Sequence, residues 1–348
     1  MLEHKREYYI DYIIEQTKKV LSIDSPSGYT QNVIDYIAGE YESMGYQPVR
    51  TRKGGLLIKL CESNDQDAIL LSAHADTLGA MVREVKGNGN LRVLPIGGMN
   101  PINGETETCR IITKFNGVYE GTLQINNASI HVNTGYRDAA RTYENMEVVV
   151  DEMTTSREQT TALGIQPGDF VCFNPNTIVT KSGFIKSRFL DDKLSVGILL
   201  GYAKYLKEEE ITPSRTVYEY ITVYEEVGHG CAASIPQGVT EIIAVDMGCV
   251  GDGLQCREWQ VSICAKDSRS PYNYDVVKGL MEAAIREKLD YAVDVYPHYS
   301  SDADAALVSG YDVRHGLIGA GVYASHGYER SHKLGAWNTF CLIAAYVR

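Results

Sequence analysis

The sequence predicts an α/β domain that is interrupted by an all-β insert. Helical patterns alternate with short apolar strands in the first 78 residues and again from residue 176 onwards. Between about residues 80 and 175, Gly, Asn and Thr separate short alternating segments, without a convincing pattern for a long helix. The segment 68–73 is a continuous apolar run, which is typical of a strand buried on both faces of an α/β sheet.

The N-terminal part predicts two helices and then two strands. An apolar stripe over residues 9–21 indicates the first helix, and the Pro- and Gly-containing segment 24–28 ends it. Thr30 can cap a second helix, which stops at Gly45. The strands follow at 56–60 and 68–73.

The insert and the C-terminal part differ in their patterns. Short alternating segments predict strands of the insert at 91–94, 109–112, 118–123, 130–132, 148–150 and 170–173. After the insert, we expect helices at 192–206, 275–288 and 336–347. Strands are expected at 216–224, 241–245 and 316–324.

The composition is that of an acidic globular protein. The 348 residues are 44% hydrophobic and 22% charged, which argues against disorder or a fibrous repeat. Lys and Arg total 33 and Asp and Glu total 45, which gives a net charge of −12. Because nucleic acids and anionic membranes bind basic surfaces, we expect neither as a partner.

We expect a cytoplasmic location. The charged N-terminus is not followed by the apolar region of a signal peptide. No stretch approaches the roughly 18 apolar residues of a membrane span. The eight cysteines form no C-x-x-C pair, so we expect reduced, buried thiols.

Potential metal ligands follow four of the predicted strands. Because ligands bind beyond the carboxyl ends of parallel strands, these groups can face one rim of the sheet. Histidine and carboxylate ligands without thiolates favour zinc, cobalt or manganese. The groups are His74 with Asp76, the pair Glu225–Glu226, Asp246, His326, and Asp191–Asp192 at the start of a predicted helix.

Two imidazoles and three carboxylates exceed the three protein ligands that a catalytic zinc ion usually takes. Two ions roughly 3.5–4 Å apart, sharing one carboxylate and one water, can use all five. Each residue alone has a simpler explanation. His74 can be a core histidine, Asp191 a helix cap, and Glu225–Glu226 a solvated strand end. The hypothesis of a metal site therefore depends on the joint occurrence of these residues.

Seven segments match one known family and occur in that family's order: LLSAHADTLG, GIQPGDFV, KSRFLDDKLSVGILL, ITVYEEVGHG, AVDMG, SSDADAA and VYASHGYE. By these segments the sequence resembles the tetrahedral (TET)-type aminopeptidases, relatives of glutamyl aminopeptidase among the dinuclear metallopeptidases. The resemblance implies a three-layer α/β/α catalytic domain with a mixed, mostly parallel sheet, formed by residues 1–78 and 176–348. It also implies a barrel-like β domain, inserted at 79–175, that serves oligomerisation and substrate access.

The same resemblance implies the ligands of two divalent ions per subunit, zinc or cobalt foremost and manganese as a third candidate. Asp191 would bridge the two ions. His74 and Asp246 would complete one site, and Glu226 and His326 would complete the other. None of these five residues is missing from the sequence.

The resemblance also implies roles for residues that do not bind metal. Glu225 would be the general base, Asp76 would orient His74, and Asp192 would hold the shape of the loop after Asp191. His332 is an alternative to His326 as the last ligand.

The implied activity is that of an aminopeptidase acting on peptides with a free N-terminus, in a homo-oligomer that can be a dodecamer. One alternative is a related dinuclear hydrolase, a carboxypeptidase or N-deacylase. Another is a non-catalytic binding or assembly protein that retains the fold. A glycosidase using Glu225 and Glu226 fits less well, because its carboxyl groups must face each other across a bond, whereas adjacent residues of a strand point apart.

Overall fold

The computed structural model describes residues 3–348. They form two compact units. The α/β unit contains the residues up to Asp76 together with Asn176–Arg348, and the barrel unit is Thr77–Pro175.

The described helices and strands are as follows in chain order. The helices are α1 (Arg6–Leu21), α2 (Gln31–Ser43), α3 (Arg157–Ala162), α4 (Leu190–Glu208), α5 (Tyr274–Glu287), α6 (Asp302–Val308) and α7 (Lys333–Tyr346). The strands are β1 (Val49–Arg50), β2 (Leu56–Cys61), β3 (Ala68–His74), β4 (Gly79–Val85), β5 (Leu91–Ile96), β6 (Thr108–Ile112), β7 (Val118–Ile125), β8 (Met146–Val150), β9 (Phe170–Phe173), β10 (Ile178–Val179), β11 (Phe184–Ser187), β12 (Val217–Thr222), β13 (Val239–Val245), β14 (Gly248–Val250), β15 (Val261–Lys266), β16 (Tyr291–Val295), β17 (Arg314–Tyr323) and β18 (Glu329–His332).

The large sheet of the α/β unit is parallel at its centre and mixed towards its edges. Strands β12, β3, β13 and β17 lie side by side in parallel. Strands β2, β15 and β18 join this centre in antiparallel pairings. Every residue of β3 is buried, as its apolar sequence predicts. The predicted α/β class and mixed sheet are thus confirmed.

Helices cover both faces of this sheet. Ala303 and Ala306 of α6 belong to a buried cluster that includes Leu70 and Ile242. Successive side chains of a strand alternate between faces, so Ile243 points to the opposite face from Ile242. There, Ile243 and Val276 of α5 both lie beside Gly316. Helix α4 packs against α1 and α7, and α7 also packs against α5.

The parallel centre brings three predicted ligand positions to one edge. Strands β12, β3 and β13 are direct neighbours, and they end at Thr222, His74 and Val245. The loops that follow therefore begin at the same edge of the sheet. The glutamates at 225–226 and Asp246 lie in these loops.

The barrel unit is a closed antiparallel barrel with the strand order β4-β5-β8-β7-β6-β9, and the pairing of β9 with β4 closes it. Its buried side chains recur at every second residue, for example in β7. The closed barrel confirms the predicted barrel-like, all-β insert.

The prediction of a strand at 130–132 is wrong. These three residues are exposed and lie in turns. The backbone N–H groups of Val132 and Asn133 both donate to the carbonyl oxygen of Ser129. Local turn hydrogen bonds therefore replace a strand ladder here.

Every helix of residues 3–348 is too short or too polar to span a bilayer.

Candidate metal centre and active-site cavity

The predicted ligands converge in the α/β unit. Asp191, Glu226, Asp246 and His326 line a cavity of about 690 Å³, together with Glu225. His74 lies beneath them at the end of β3 and is only 1% exposed. The structure thus brings together residues separated by up to about 250 positions in the sequence.

Asp191 stands between the two imidazoles. Its Oδ1 lies 3.1 Å from Nε2 of His74, and its Oδ2 lies 3.5 Å from Nε2 of His326. It occupies the first turn of α4, where its backbone is not helical (φ −76°, ψ 101°). The peptide bond between Asp191 and Asp192 is cis. One carboxylate therefore presents a different oxygen atom to each histidine.

Two groups of potential ligand atoms lie within metal-binding distance of one another. Ligand atoms of His74, Glu225 and Asp246 are all within 4.8 Å, and so are those of His74, Asp191 and Glu226. Nε2 of His326 lies 3.5 Å from Oε2 of Glu226. His326 therefore lies close to two members of the second group, Asp191 and Glu226.

His74 is fixed by three contacts. Its Nδ1 lies 2.9 Å from the backbone oxygen of Asp76 and 3.6 Å from the Oδ1 of that residue. Its backbone N–H donates to Oδ2 of Asp192 (3.1 Å). These contacts direct Nε2 of the ring towards the cavity side of the cluster.

The carboxylate of Asp76 has other partners. Its Oδ1 accepts the backbone N–H of Glu225 (3.1 Å), and its Oδ2 accepts the hydroxyl of Ser27 (2.5 Å). Asp76 therefore links the strand end that carries His74 to the loop that carries Glu225.

Glu329 is a buried carboxylate for which the sequence predicted no role. Its Oε2 accepts the backbone N–H of Asp191 (3.1 Å), and its Oε1 accepts the backbone N–H of His326 (3.0 Å). It thereby holds two ligand-bearing segments together. Its position in the VYASHGYE segment was the signal in the sequence, but its partners could not be read from it.

His332 lies apart from this cluster. Its Nε2 contacts the carbonyl oxygen of Ser182 (2.8 Å), and its Nδ1 accepts the backbone N–H of Leu334 (3.0 Å) at the start of α7. Its ring packs against Phe184. Of the two histidines weighed as the last ligand, the structure brings His326 to the cluster.

Burial and mutual repulsion disturb the titration of these groups. Burial raises the pKa of Asp246 to about 7, and the charge of Asp191 acts in the same direction. Burial also raises the pKa of Glu225 and of Glu226 well above the usual range of a glutamate. The cluster therefore resists holding several negative charges without a compensating positive charge.

The two histidines supply part of that compensation. Burial opposes the charged form of Asp191, but hydrogen bonds with His326 and His74 hold its pKa below the usual value. Burial likewise opposes the charged form of His74. The hydrogen bond with Asp191 and the charges of Glu225 and Asp246 nevertheless raise the pKa of His74 well above its usual value.

These residues fit divalent metal ions. Oε1 of Glu226 is buried and makes no hydrogen bond to any described residue. The ion pairs of Asp191, Glu225 and Glu226 within residues 3–348 are made to histidines rather than to Lys or Arg. A cluster of carboxylates and imidazoles without a fixed cation is the donor set that borderline divalent ions bind.

The rim of the cavity carries the positive charge of Arg269. Arg269 and His298 are exposed residues that line it, beside Cys249 and Tyr299. The guanidinium of Arg269 makes no ion pair or hydrogen bond with the described residues. The cavity thus combines an acidic floor with a cationic rim.

A family model described as M42 glutamyl aminopeptidase matches residues 54–342. The chain belongs to this family. It is therefore a metal-dependent aminopeptidase that uses divalent metal ions. The resemblance inferred from the sequence motifs is confirmed.

Related proteins and structures agree with this membership. "Putative aminopeptidase YhfE" of Bacillus subtilis (strain 168) is 43% identical over 335 residues, covering 96% of this chain and 97% of that protein. A TET aminopeptidase structure from the marine sediment archaeon Thaumarchaeota archaeon SCGC AB-539-E09 aligns with a TM-score of 0.87 at 18% identity, covering 97% and 96% of the two chains. The Pyrococcus horikoshii TET1 peptidase aligns with a TM-score of 0.84 at 22% identity, covering 96% and 99%. The two structures show that the fold is shared.

Proposed function

We propose that the protein hydrolyses N-terminal residues from peptides at a dinuclear centre. Asp191 would be the bridging ligand, His74 and Asp246 would complete one metal site, and Glu226 and His326 would complete the other. The observation that carries this proposal is the position of Asp191, whose two carboxylate oxygens lie near different imidazoles. Zinc and cobalt are the first candidates for both sites, and manganese accepts the same ligands.

Bound divalent ions would supply an acidified water and polarise the scissile carbonyl group. Glu225 is the general base. Its Oε2 lies 3.7 Å from Nε2 of His74, and its backbone N–H is held by Asp76. A carboxylate in this position can take a proton from the attacking water and then deliver it to the leaving amine.

The cationic rim of the cavity favours substrates that carry a carboxylate on the N-terminal residue. Arg269 reaches the cavity and lacks a carboxylate partner among the described residues, so it can pair with an acidic side chain of the substrate. We expect Arg269→Ala to lower kcat/KM for N-terminal Glu by about tenfold, the effect of losing one charge-assisted hydrogen bond, and to leave N-terminal Leu almost unchanged. Equal losses on both substrates would contradict this role.

The inserted domain at 79–175 contributes to subunit contacts and to substrate access in a homo-oligomer. The support is the similar Pyrococcus horikoshii TET1 peptidase, which can assemble into a tetrahedron or a large octahedral shell. Light scattering after size-exclusion chromatography tests this proposal. A large closed particle, such as a dodecamer, is expected, and a monomer at micromolar concentration would contradict it.

A related dinuclear hydrolase is the alternative, and substrate polarity separates it from an aminopeptidase. The test measures metal content alongside hydrolysis of matched peptides with free or acetylated N-termini and with free or amidated C-termini. We expect two ions per chain and cleavage of free N-termini only. Cleavage of acetylated peptides, or a requirement for a free C-terminus, would contradict the proposal.

A further inference from the structure

The loop that carries Glu225 and Glu226 is short and sharply folded. It leaves β12 after Thr222, and Tyr224 (φ 72°) and Gly228 (φ 88°) both adopt left-handed backbone conformations. The backbone N–H of His229 donates to the carbonyl oxygen of Tyr224 (3.0 Å). Besides the contact of Glu225 with Asp76, the position of both glutamates therefore depends on how this loop is anchored at its two ends.

One buried carboxylate contacts both ends of the loop. Oδ2 of Asp302 accepts the hydroxyl of Thr222 (2.5 Å), the last residue of β12. Oδ1 accepts the backbone N–H of Cys231 (2.9 Å), at the other end. Asp302 itself is only 3% exposed. Nothing in the proposed chemistry uses this carboxylate, so its burial needs another explanation.

The backbone at Gly230 is shaped to this carboxylate. A Cβ atom at Gly230 would lie 1.9 Å from Oδ1 of Asp302, which is far inside van der Waals contact. The absence of a side chain at this position therefore permits the close approach of the loop to Asp302.

Asp302 is held by a well-anchored element. It is the first residue of α6, whose N-terminus has a capping box formed by Ser301 and Asp304. Ala303 and Ala306 of the same helix lie in the buried cluster against the sheet. The carboxylate is therefore fixed by the sheet and not by the loop that it contacts.

We infer that Asp302 is a positioning residue that fixes the loop of Glu225 and Glu226 by bonding to both of its ends. The consequence for turnover rests on the proposed function, whereas the effect on loop order does not. Because the loop carries the general base, loosening it lowers kcat more than it changes KM for the peptide. The hydrogen bonds themselves, rather than the negative charge, perform this role.

The test compares variants that separate hydrogen bonding from charge. Asp302→Ala removes both contacts. Asp302→Asn keeps them, because its Oδ1 can accept the N–H of Cys231 and its amide can donate to the hydroxyl of Thr222. That hydroxyl can then turn towards the carbonyl oxygen of Ala73, which lies 3.5 Å away. Of the two contacts of Asp302, Thr222→Val removes only the hydrogen bond with Thr222. It replaces Asp302→Ala in the test if that variant does not fold.

Asp294 provides a matched control. It is 5% exposed, and it accepts two backbone N–H groups, from Gln255 (2.7 Å) and Cys256 (3.0 Å). Asp294→Ala therefore removes a comparable buried carboxylate, one that lies in β16 and holds a different loop. It should disturb residues 255–256 and leave residues 223–231 unchanged.

Hydrogen exchange measured by mass spectrometry on residues 223–231 is the readout that does not need activity. Asp302→Ala should speed exchange there by about tenfold or more, Thr222→Val should do so less strongly, and Asp302→Asn should stay close to the wild type. In peptide hydrolysis, Asp302→Ala should lose on the order of 10- to 100-fold in kcat with KM changed by less than about threefold. Asp302→Asn should restore most of this loss.

Two results would overturn the inference. One is unchanged exchange of residues 223–231 in both Asp302→Ala and Thr222→Val. The other is an Asp302→Asn variant as impaired as Asp302→Ala, which would mean that the charge is what matters. If the wild-type protein cleaves no peptide, the proposed function fails, and the exchange experiment still decides the role of Asp302.

Discussion

The half of the candidate centre around His74 is built on strand ends, whereas the half around His326 is built on loops. His74 is the last residue of a fully buried strand, and both its backbone and its ring make hydrogen bonds. The side chain of His326 is 41% exposed, and its backbone has a positive φ of 61°. Its partner Glu226 lies in a single turn of 3-10 helix.

This difference predicts unequal metal affinities. Ligands on rigid strands lose little conformational freedom when an ion binds, whereas ligands on loops lose more. We therefore expect the ion at His74 and Asp246 to bind more tightly than the ion at Glu226 and His326. Asp191 belongs to both halves, and Glu329 ties it to the His326 segment.

Removal of the shared ligand should have the largest effect, because it breaks both halves at once. Asp191→Ala should lose both ions and reduce peptide hydrolysis below detection. Metal analysis by mass spectrometry after dialysis, together with an aminopeptidase assay, checks this outcome. Retention of both ions by Asp191→Ala would show that the two halves do not share it.

Glu225→Gln should separate chemistry from metal binding. The variant keeps the shape of the side chain but cannot take up a proton, so kcat should fall by about 10²- to 10⁴-fold. Both ions should remain, since the proposed ligand set of neither half includes this residue. Normal turnover, or loss of a metal ion, would contradict its role as the general base.

Variants of the two histidines test directly whether the two halves bind their ions with different affinity. His326→Ala should retain one ion at a chelator concentration at which His74→Ala retains almost none. The reason is that His326→Ala leaves the strand-end half intact. Titration with a chelator, followed by metal analysis of each variant, gives the comparison. The reverse order of metal loss would contradict the expectation that ligands on strand ends bind their ion more tightly than ligands on loops.

His332→Ala is the matched control and should have the smallest effect. His332 caps the start of α7 through its bond to the N–H of Leu334, so its loss should lower the free energy of unfolding by about 1 kcal/mol. Both ions and the activity should be retained. Chemical denaturation measures the first effect, and loss of an ion would restore His332 as a possible ligand.

The class of fold and the convergence of the candidate ligand residues were accessible from the sequence because both have local signals. The apolar run at 68–73 ends in His74, and the acidic pair at 225–226 follows another apolar strand. Neighbouring parallel strands must bring such ends together, so convergence could be predicted without coordinates. The motifs then identified the family.

The supporting carboxylates could not be assigned in the same way. Glu329 bonds to Asp191 from 138 positions away, and Asp302 bonds to Thr222 from 80 positions away. Such contacts depend on tertiary packing, and an isolated acidic residue in the sequence does not indicate its partner. The strand predicted at 130–132 was wrong for a local reason. Its short alternating pattern is outweighed by turn hydrogen bonds to Ser129.

An anomalous-scattering crystal structure of the metal-loaded protein is the most direct test of a shared carboxylate. We expect two anomalous peaks roughly 3.5–4 Å apart, with Oδ1 and Oδ2 of Asp191 on different ions. A single peak, or two peaks of which only one contacts Asp191, would contradict the dinuclear centre.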